Sequence, residues 1–260
     1  MISQGWRRTN YHTIGVVQWA AGIAAAVMGA SLKADAAIWT QRWEFAGQFL
    51  KALQGSAWYS LPLLTCLLGI GQVARSSIGH PRIWFAVKQI LDIFRDDVFA
   101  GQAGQPLHHH RVTLFKHKRF RLAWVRWPWS GWLVAVERSG HTTRTRTVAF
   151  RAPDNADLAE GIAGQTWATR FVIAMSGLPD PTSTDNAILT DYANRTFVPV
   201  EWVRARHFLA RSYCGIPVEV KGRVWGVIVL DSRGQDSIDT EAVRLYTMVG
   251  KFLGKLLERA

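Results

Sequence analysis

Arg144 and Arg146 alternate with Thr145 and Thr147, so on an extended strand the two guanidiniums share one face. Two forked donors side by side can hold a phosphate bidentately, and Trp167 or Tyr213 could stack on a base. A simpler reading makes the pair part of a solvated edge strand whose charges discourage edge pairing. Thiol and imidazole chemistry have less to work with. Cys66 sits inside an apolar run and Cys214 on an expected strand, where a cysteine usually acts as an inert small hydrophobe. His108, His109 and His110, with His117 and His141, lack carboxylate or thiolate partners, and neighbours on an extended chain point to opposite faces. No metal and no cofactor are expected.

Charge places the basic chemistry in one stretch. From Arg111 to Arg151 there are ten Lys and Arg (positions 111, 116, 118, 119, 121, 126, 138, 144, 146 and 151) against Glu137, a net of +9, whereas Ala152 to Ala260 holds 12 basic and 13 acidic residues. Three readings fit that excess: an anionic small molecule such as a nucleotide, attraction to anionic lipid headgroups, or the positive charge usual in cytoplasmic segments of membrane proteins. No nucleic-acid motif accompanies it, so a nucleic-acid polymer is not an expected partner.

Thr9 to Leu32 and Ala52 to Ala74 contain no Asp, Glu, Lys or Arg, and each can supply the roughly 20 residues that a bilayer-spanning helix needs. The expected spans are about 12–32 and 56–75, a membrane hairpin within residues 1–80. Gly15, Gly22 and Gly29 recur every seven positions and Gly22, Ala26 and Ala30 every four, leaving a bare face for packing within the hairpin or for self-assembly. A cleaved signal peptide competes for the first run, with Arg7 and Arg8 before it and Ala34-Asp35-Ala36 after it. Between the spans, Trp39, Trp43, Ala46, Leu50 and Leu53 fall at helical spacing, an amphipathic segment for the headgroup region or an outward extension of the second span. Arg75, Arg82 and Lys88 follow the second run, so both ends are expected in the cytoplasm and the protein as a multi-pass component of the inner membrane.

After Gly79-His80-Pro81, Ile83, Val87, Ile90, Leu91, Phe94 and Val98 trace one helical face, and Val243, Tyr246, Val249, Phe252, Leu253 and Leu256 form a matching stripe at the other end. Between them lie expected strands: Val112 to Phe115, Trp132 to Glu137, Thr145 to Phe150, Phe171 to Ala174, Ser212 to Lys221 and Val224 to Leu230. Glu160 to Arg170 reads EGIAGQTWATR, and Ala210 to Ser232 reads ARSYCGIPVEVKGRVWGVIVLDS, a strand, a Gly turn and a strand closing on Asp231. These two stretches resemble a GAF domain, and the resemblance covers about residues 82–260.

The resemblance implies an α+β fold: a central antiparallel sheet flanked by helices, with a ligand cavity under loops on one face, here preceded by two transmembrane helices. It also implies that Asp180 to Arg206 cover the pocket, which adds Arg211, Asp185, Tyr192 and Arg195 to Arg144, Arg146, Trp167 and Tyr213 as ligand-binding candidates. Terminal helices in such domains often pair between protomers, so a homodimer or higher oligomer is expected. GAF-type methionine sulfoxide reductases cycle several cysteines and bilin carriers need a cysteine motif, neither of which matches Cys66 and Cys214; no enzyme is expected. The dispersed Asn-Lys-Asp-Glu motif of cyclic-nucleotide phosphodiesterases has no counterpart either. The resulting expectation is a membrane-anchored sensor or effector for an anionic messenger, a nucleotide or cyclic oligonucleotide, by analogy with two-span effectors of bacterial antiphage signalling. The alternative is a constitutive anchor in which the GAF fold only dimerises or recruits a partner.

Overall fold

Period-two alternation builds the second half of the chain and period-3.6 apolar stripes build its flanks. The computed structural model describes residues 4–100, 109–120, 129–140, 149–206, 209–239 and 243–259. The chain forms two compact units, divided between Arg82 and Ile83.

The first unit is a helix pair. Helix α1 (Gln4–Ser31) and helix α3 (Glu44–Ile78) pack along their length, joined through the short α2 (Ala36–Arg42). Both long helices are long and apolar enough to cross a membrane. The expected amphipathic segment is broken at Trp43, an extended residue that ends α2 and precedes α3; Glu44 to Leu53 simply continue as α3. Polar groups knit the seam: Gln54 Nε2 donates to the carbonyls of Ser31 and Ala34 at 2.8 Å each, and Gln18 Nε2 donates to that of Leu68 at 3.3 Å. Arg75 lies over the ring of Tyr11, 4.2 Å from its centroid. Ala21 and Ala57 are buried, while Ala26 and Ala30 are exposed and a Cβ at Gly22 or Gly29 would meet nothing within 4 Å. The row Gly22, Ala26 and Ala30 is therefore outside the hairpin contact, whereas a Cβ at Gly15 would lie 3.7 Å from the Arg75 guanidinium of α3.

The second unit is a six-stranded antiparallel sheet in the order β3-β2-β1-β6-β5-β4. Its strands are β1 (His110–Lys118), β2 (Trp132–Ser139), β3 (Ala149–Arg151), β4 (Ile173–Met175), β5 (Ser212–Val220) and β6 (Arg223–Ser232). This is the GAF-like α+β architecture. Helix α4 (Pro81–Val98) and helix α8 (Val243–Leu257) bring Val87, Leu91, Phe94, Tyr246 and Leu253 to one core, with Val112, Leu114, Cys214, Ile216, Ile228 and Leu230 from the strands. The terminal stripes thus cover the sheet through their inner residues, yet Phe85, Ile93, Leu245, Met248 and Phe252 remain exposed. Helix α5 (Gly161–Thr169), helix α6 (Asn186–Thr196) and helix α7 (Val200–Arg206) belong to the opposite face, where Phe115, Leu133, Val227 and Val229 point. The strands differ from expectation mainly at their ends. The expected Thr145 to Phe150 is described from Ala149 onward, and Phe171 is exposed before β4 begins.

Candidate functional site

Alternation along β5 and β6 sends Tyr213 and Val229 to the face away from α4 and α8. There they meet Ile162 and Ala163 of α5, Phe150 of β3, and Tyr192, Thr196 and Val198 at the end of α6, around a cavity of about 30 Å³. That is room for two or three waters, at about 10–15 Å³ each. Gly161, with φ of +68°, opens α5 at the cavity wall; a Cβ there would stand 2.9 Å from the Phe150 ring. A side chain would both strain the backbone and collide.

Polar atoms at the wall are already engaged. Tyr192 Oη donates to the Ala210 carbonyl at 2.9 Å, so the 3.0 Å contact with Tyr213 Oη is a bond donated by Tyr213. Burial pushes both phenols up from their ordinary value, keeping them neutral donors. Behind them, Arg111 of β1 pairs with Asp231 of β6, through Nε at 2.7 Å and a terminal nitrogen at 2.6 Å. The register places Thr113 opposite Arg138 of β2, and Arg138 Nε donates to Thr113 Oγ1 at 3.0 Å. Arg138 is 6% exposed. Its pKa is lowered by burial first and then by Arg111, partly offset by Asp231, whereas Asp231 raises that of Arg111. Arginine nevertheless keeps its charge. Among the described residues, two guanidiniums on the cavity face are balanced by one carboxylate.

The sequence candidates divide. Tyr192 and Tyr213 line the cavity. Trp167 lies flat on His117, with ring centroids 3.8 Å apart and 9° between planes, and His117 Nε2 holds the Ala152 carbonyl at 3.0 Å. Arg211 donates to the Leu178 carbonyl and to Gln235; Arg195 donates to the carbonyls of Gly177 and Ser176. Both tie the chain around β4 to its neighbours. Asp185 caps α6, its carboxylate accepting from the Ala187 amide at 2.8 Å. Arg144 and Arg146 lie outside the described residues. Sequence reasoning missed the Arg111–Arg138–Asp231 group, because only strand register brings these distant positions together. The signal that could have found it is the charged residue at an inward position of each of three neighbouring strands.

Cys214 points into the α4 and α8 core, fully buried, and burial pushes its thiol up to about 12. It is a poor nucleophile. His110 and His117 face opposite sides of the sheet, and among the described residues no three metal-ligating side chains cluster.

Among solved structures, the chain is similar to the free methionine-R-sulfoxide reductase of Neisseria meningitidis in complex with its substrate (18% identity over 65% of this chain and 76% of that one, TM-score 0.38). It is similar to the GAF domain of an Acinetobacter phosphoenolpyruvate-protein phosphotransferase (13% identity, 67% and 89% covered, TM-score 0.39). A third is the GAF domain region of a putative membrane protein from Geobacter sulfurreducens (14% identity, 65% and 94% covered, TM-score 0.37). No curated protein matches the chain significantly. Residues 97–257 match the family model for the GAF domain, with the cavity, the Gly161 turn and the sheet that carries both inside the matched region. The chain therefore belongs to the GAF domain family, a fold for sensing and binding small molecules.

Proposed function

We propose that the protein is a membrane-anchored sensor whose GAF cavity receives an anionic small molecule and relays its binding through α4 to the helix pair. The observation that carries this reading is the surplus guanidinium on the cavity face of the sheet: Arg111 and Arg138 against Asp231, behind the two hydrogen-bonded tyrosine hydroxyls. A buried cation with incomplete compensation lowers its free energy by gaining an anion, and a nucleotide or cyclic oligonucleotide messenger supplies one. The cavity must open for such a ligand, which requires Phe150, Tyr192 and Tyr213 to move. Helices α1 and α3 are the spans, the GAF domain is cytoplasmic, and the exposed Leu245, Met248 and Phe252 of α8 are the pairing face of a homodimer. A two-span effector of antiphage signalling is one setting for this arrangement.

A second reading, the constitutive anchor that only dimerises or recruits, is favoured by the cavity volume of about 30 Å³. Thermal stability of the full chain against cyclic mono-, di- and trinucleotides separates the two. A ligand at 100 times its Kd should add about 2.7 kcal/mol; Arg138→Gln should remove the shift and Asp185→Asn should keep it. Silence across the panel from a folded protein would favour the anchor.

A further inference from the structure

We infer that the GAF domain seats one end of its sheet on an anionic lipid surface, through exposed basic and aromatic side chains at the end where the chain arrives from α3. The inference rests on the reading of α1 and α3 as spans, which puts that surface within reach.

Packing identifies the end. Phe99, just past α4, stacks on His110 at the start of β1, 4.2 Å between centroids, and Phe94 meets Tyr246 early in α8. Helix α8 then runs along β5: a Cβ at Gly250 would stand 2.7 Å from the Pro217 carbonyl, Gly254 abuts Glu219, and the Lys221 amide donates to Glu258. The register pairs Lys116 with Gly226, Val220 with Arg223 and Lys118 with Trp132. The 18 residues of α4 cover about 27 Å at 1.5 Å each, close to the length of β1. Its beginning therefore lies at the opposite end from Phe99, beside the β5–β6 turn, the last residues of β1 and the end of α8.

The side chains there are of two kinds. Lys118, Arg119, Lys221, Arg223, Lys255 and Arg259 are exposed, against Glu219, Glu258 and, toward the cavity side, Asp154. Glu258 is already paired with Lys255. Among them stand two exposed aromatics, Phe120 at 38% and Trp129 at 77%, their rings 4.4 Å apart. Lysine and arginine gain from the potential of an anionic leaflet, and an indole ring settles at the headgroup level. An inorganic anion would use the charges alone. Large exposed aromatic rings set among cations match a surface that is charged outside and apolar just beneath.

The test uses the full chain in a Cys66→Ser background, carrying an environment-sensitive fluorophore on Phe120→Cys; the Cys214 thiol is buried and stays unlabelled. In vesicles containing about 30% phosphatidylglycerol, a headgroup-level spin-labelled lipid should quench the probe at least twofold, with little quenching in pure phosphatidylcholine or about 0.5 M salt. Joint substitution Lys118→Glu, Arg119→Glu, Lys221→Glu and Arg223→Glu should abolish the quenching with an unchanged near-ultraviolet dichroism spectrum, since all four are exposed. Quenching that ignores lipid charge and the reversal overturns the inference, as does displacement of the probe by a single-stranded oligonucleotide. Alkaline carbonate extraction reports separately on the spans: a chain that resists extraction but shows no quenching keeps the spans and loses the docking surface. A chain that is extracted yet shows charge-dependent quenching loses the spans and keeps it.

Discussion

The helix pair and the GAF domain arrange the same kinds of side chain in opposite ways. In the domain, Leu114, Leu133, Ile216, Ile228, Leu230 and Leu253 are fully buried. In the helix pair Val16, Trp19, Trp58, Leu63, Ile70 and Val73 are each more than half exposed, while the contacts between helices run through Gln18, Gln54 and Ser60. Water drives apolar surface inward and tolerates polar groups outside. A hydrocarbon surrounding supplies no such drive, so close contact and hydrogen bonds hold helices together. The two regions put their apolar side chains to different use, as the proposed reading of α1 and α3 as spans requires, and the contrast can be attacked from either side.

Leu230→Ala, in the middle of the domain core, should cost about 2–5 kcal/mol, read as a lowered melting temperature of the domain. Gln54→Ala leaves the Ala34 carbonyl without its side-chain partner and the Ser31 carbonyl with the Ala34 amide alone, worth about 1–3 kcal/mol in a denaturant titration of the micelle-bound chain. A neutral result there would mean that the polar seam does not hold the pair. Acid should act on the domain through His110 and His117, whose pKa values are both lowered by burial. The unfolded chain takes up those protons more readily, so stability is complete above the unfolded value of about 6.5 and falls as pH drops below it, by up to about 1.4 kcal/mol per unit for each histidine. His117→Phe should flatten that slope. Least of all, Leu63→Ala, 61% exposed on α3, should stay within about 0.5 kcal/mol. A core-sized loss at Leu63 would break the comparison.

Local pattern made much of this legible. The apolar run Val227 to Leu230, three of its four residues β-branched, reads as a well-packed strand, and Gly222 marks the hairpin, so β5 and β6 were readable to within a residue or two. Charge-free length marked α1 and α3. The end of the amphipathic segment was not readable, since nothing in Trp43 itself announces an extended residue between two helices. The cavity group was harder still. Arg111 and Asp231 stand 120 residues apart and meet only because β1 and β6 are neighbours in one particular register; a slip of one residue would send them to opposite faces. Arg195 and Arg211 were legible as ligand candidates, but not the partners of their guanidiniums, backbone carbonyls and, for Arg211, the Gln235 side chain, which no spacing rule foretells.

By itself the sequence determined the elements and the family, because hydrophobic period, turn glycines and uncharged length act within a few residues of each other. Tertiary structure alone decided that Arg111 pairs with Asp231 while Arg138 is held by Thr113 on the same sheet face, how little space Phe150, Tyr192 and Tyr213 leave in the cavity, and which side of α8 stays uncovered. Those outcomes depend on strand order and side-chain volume summed over distant segments, and neither quantity is written in any local stretch of the chain.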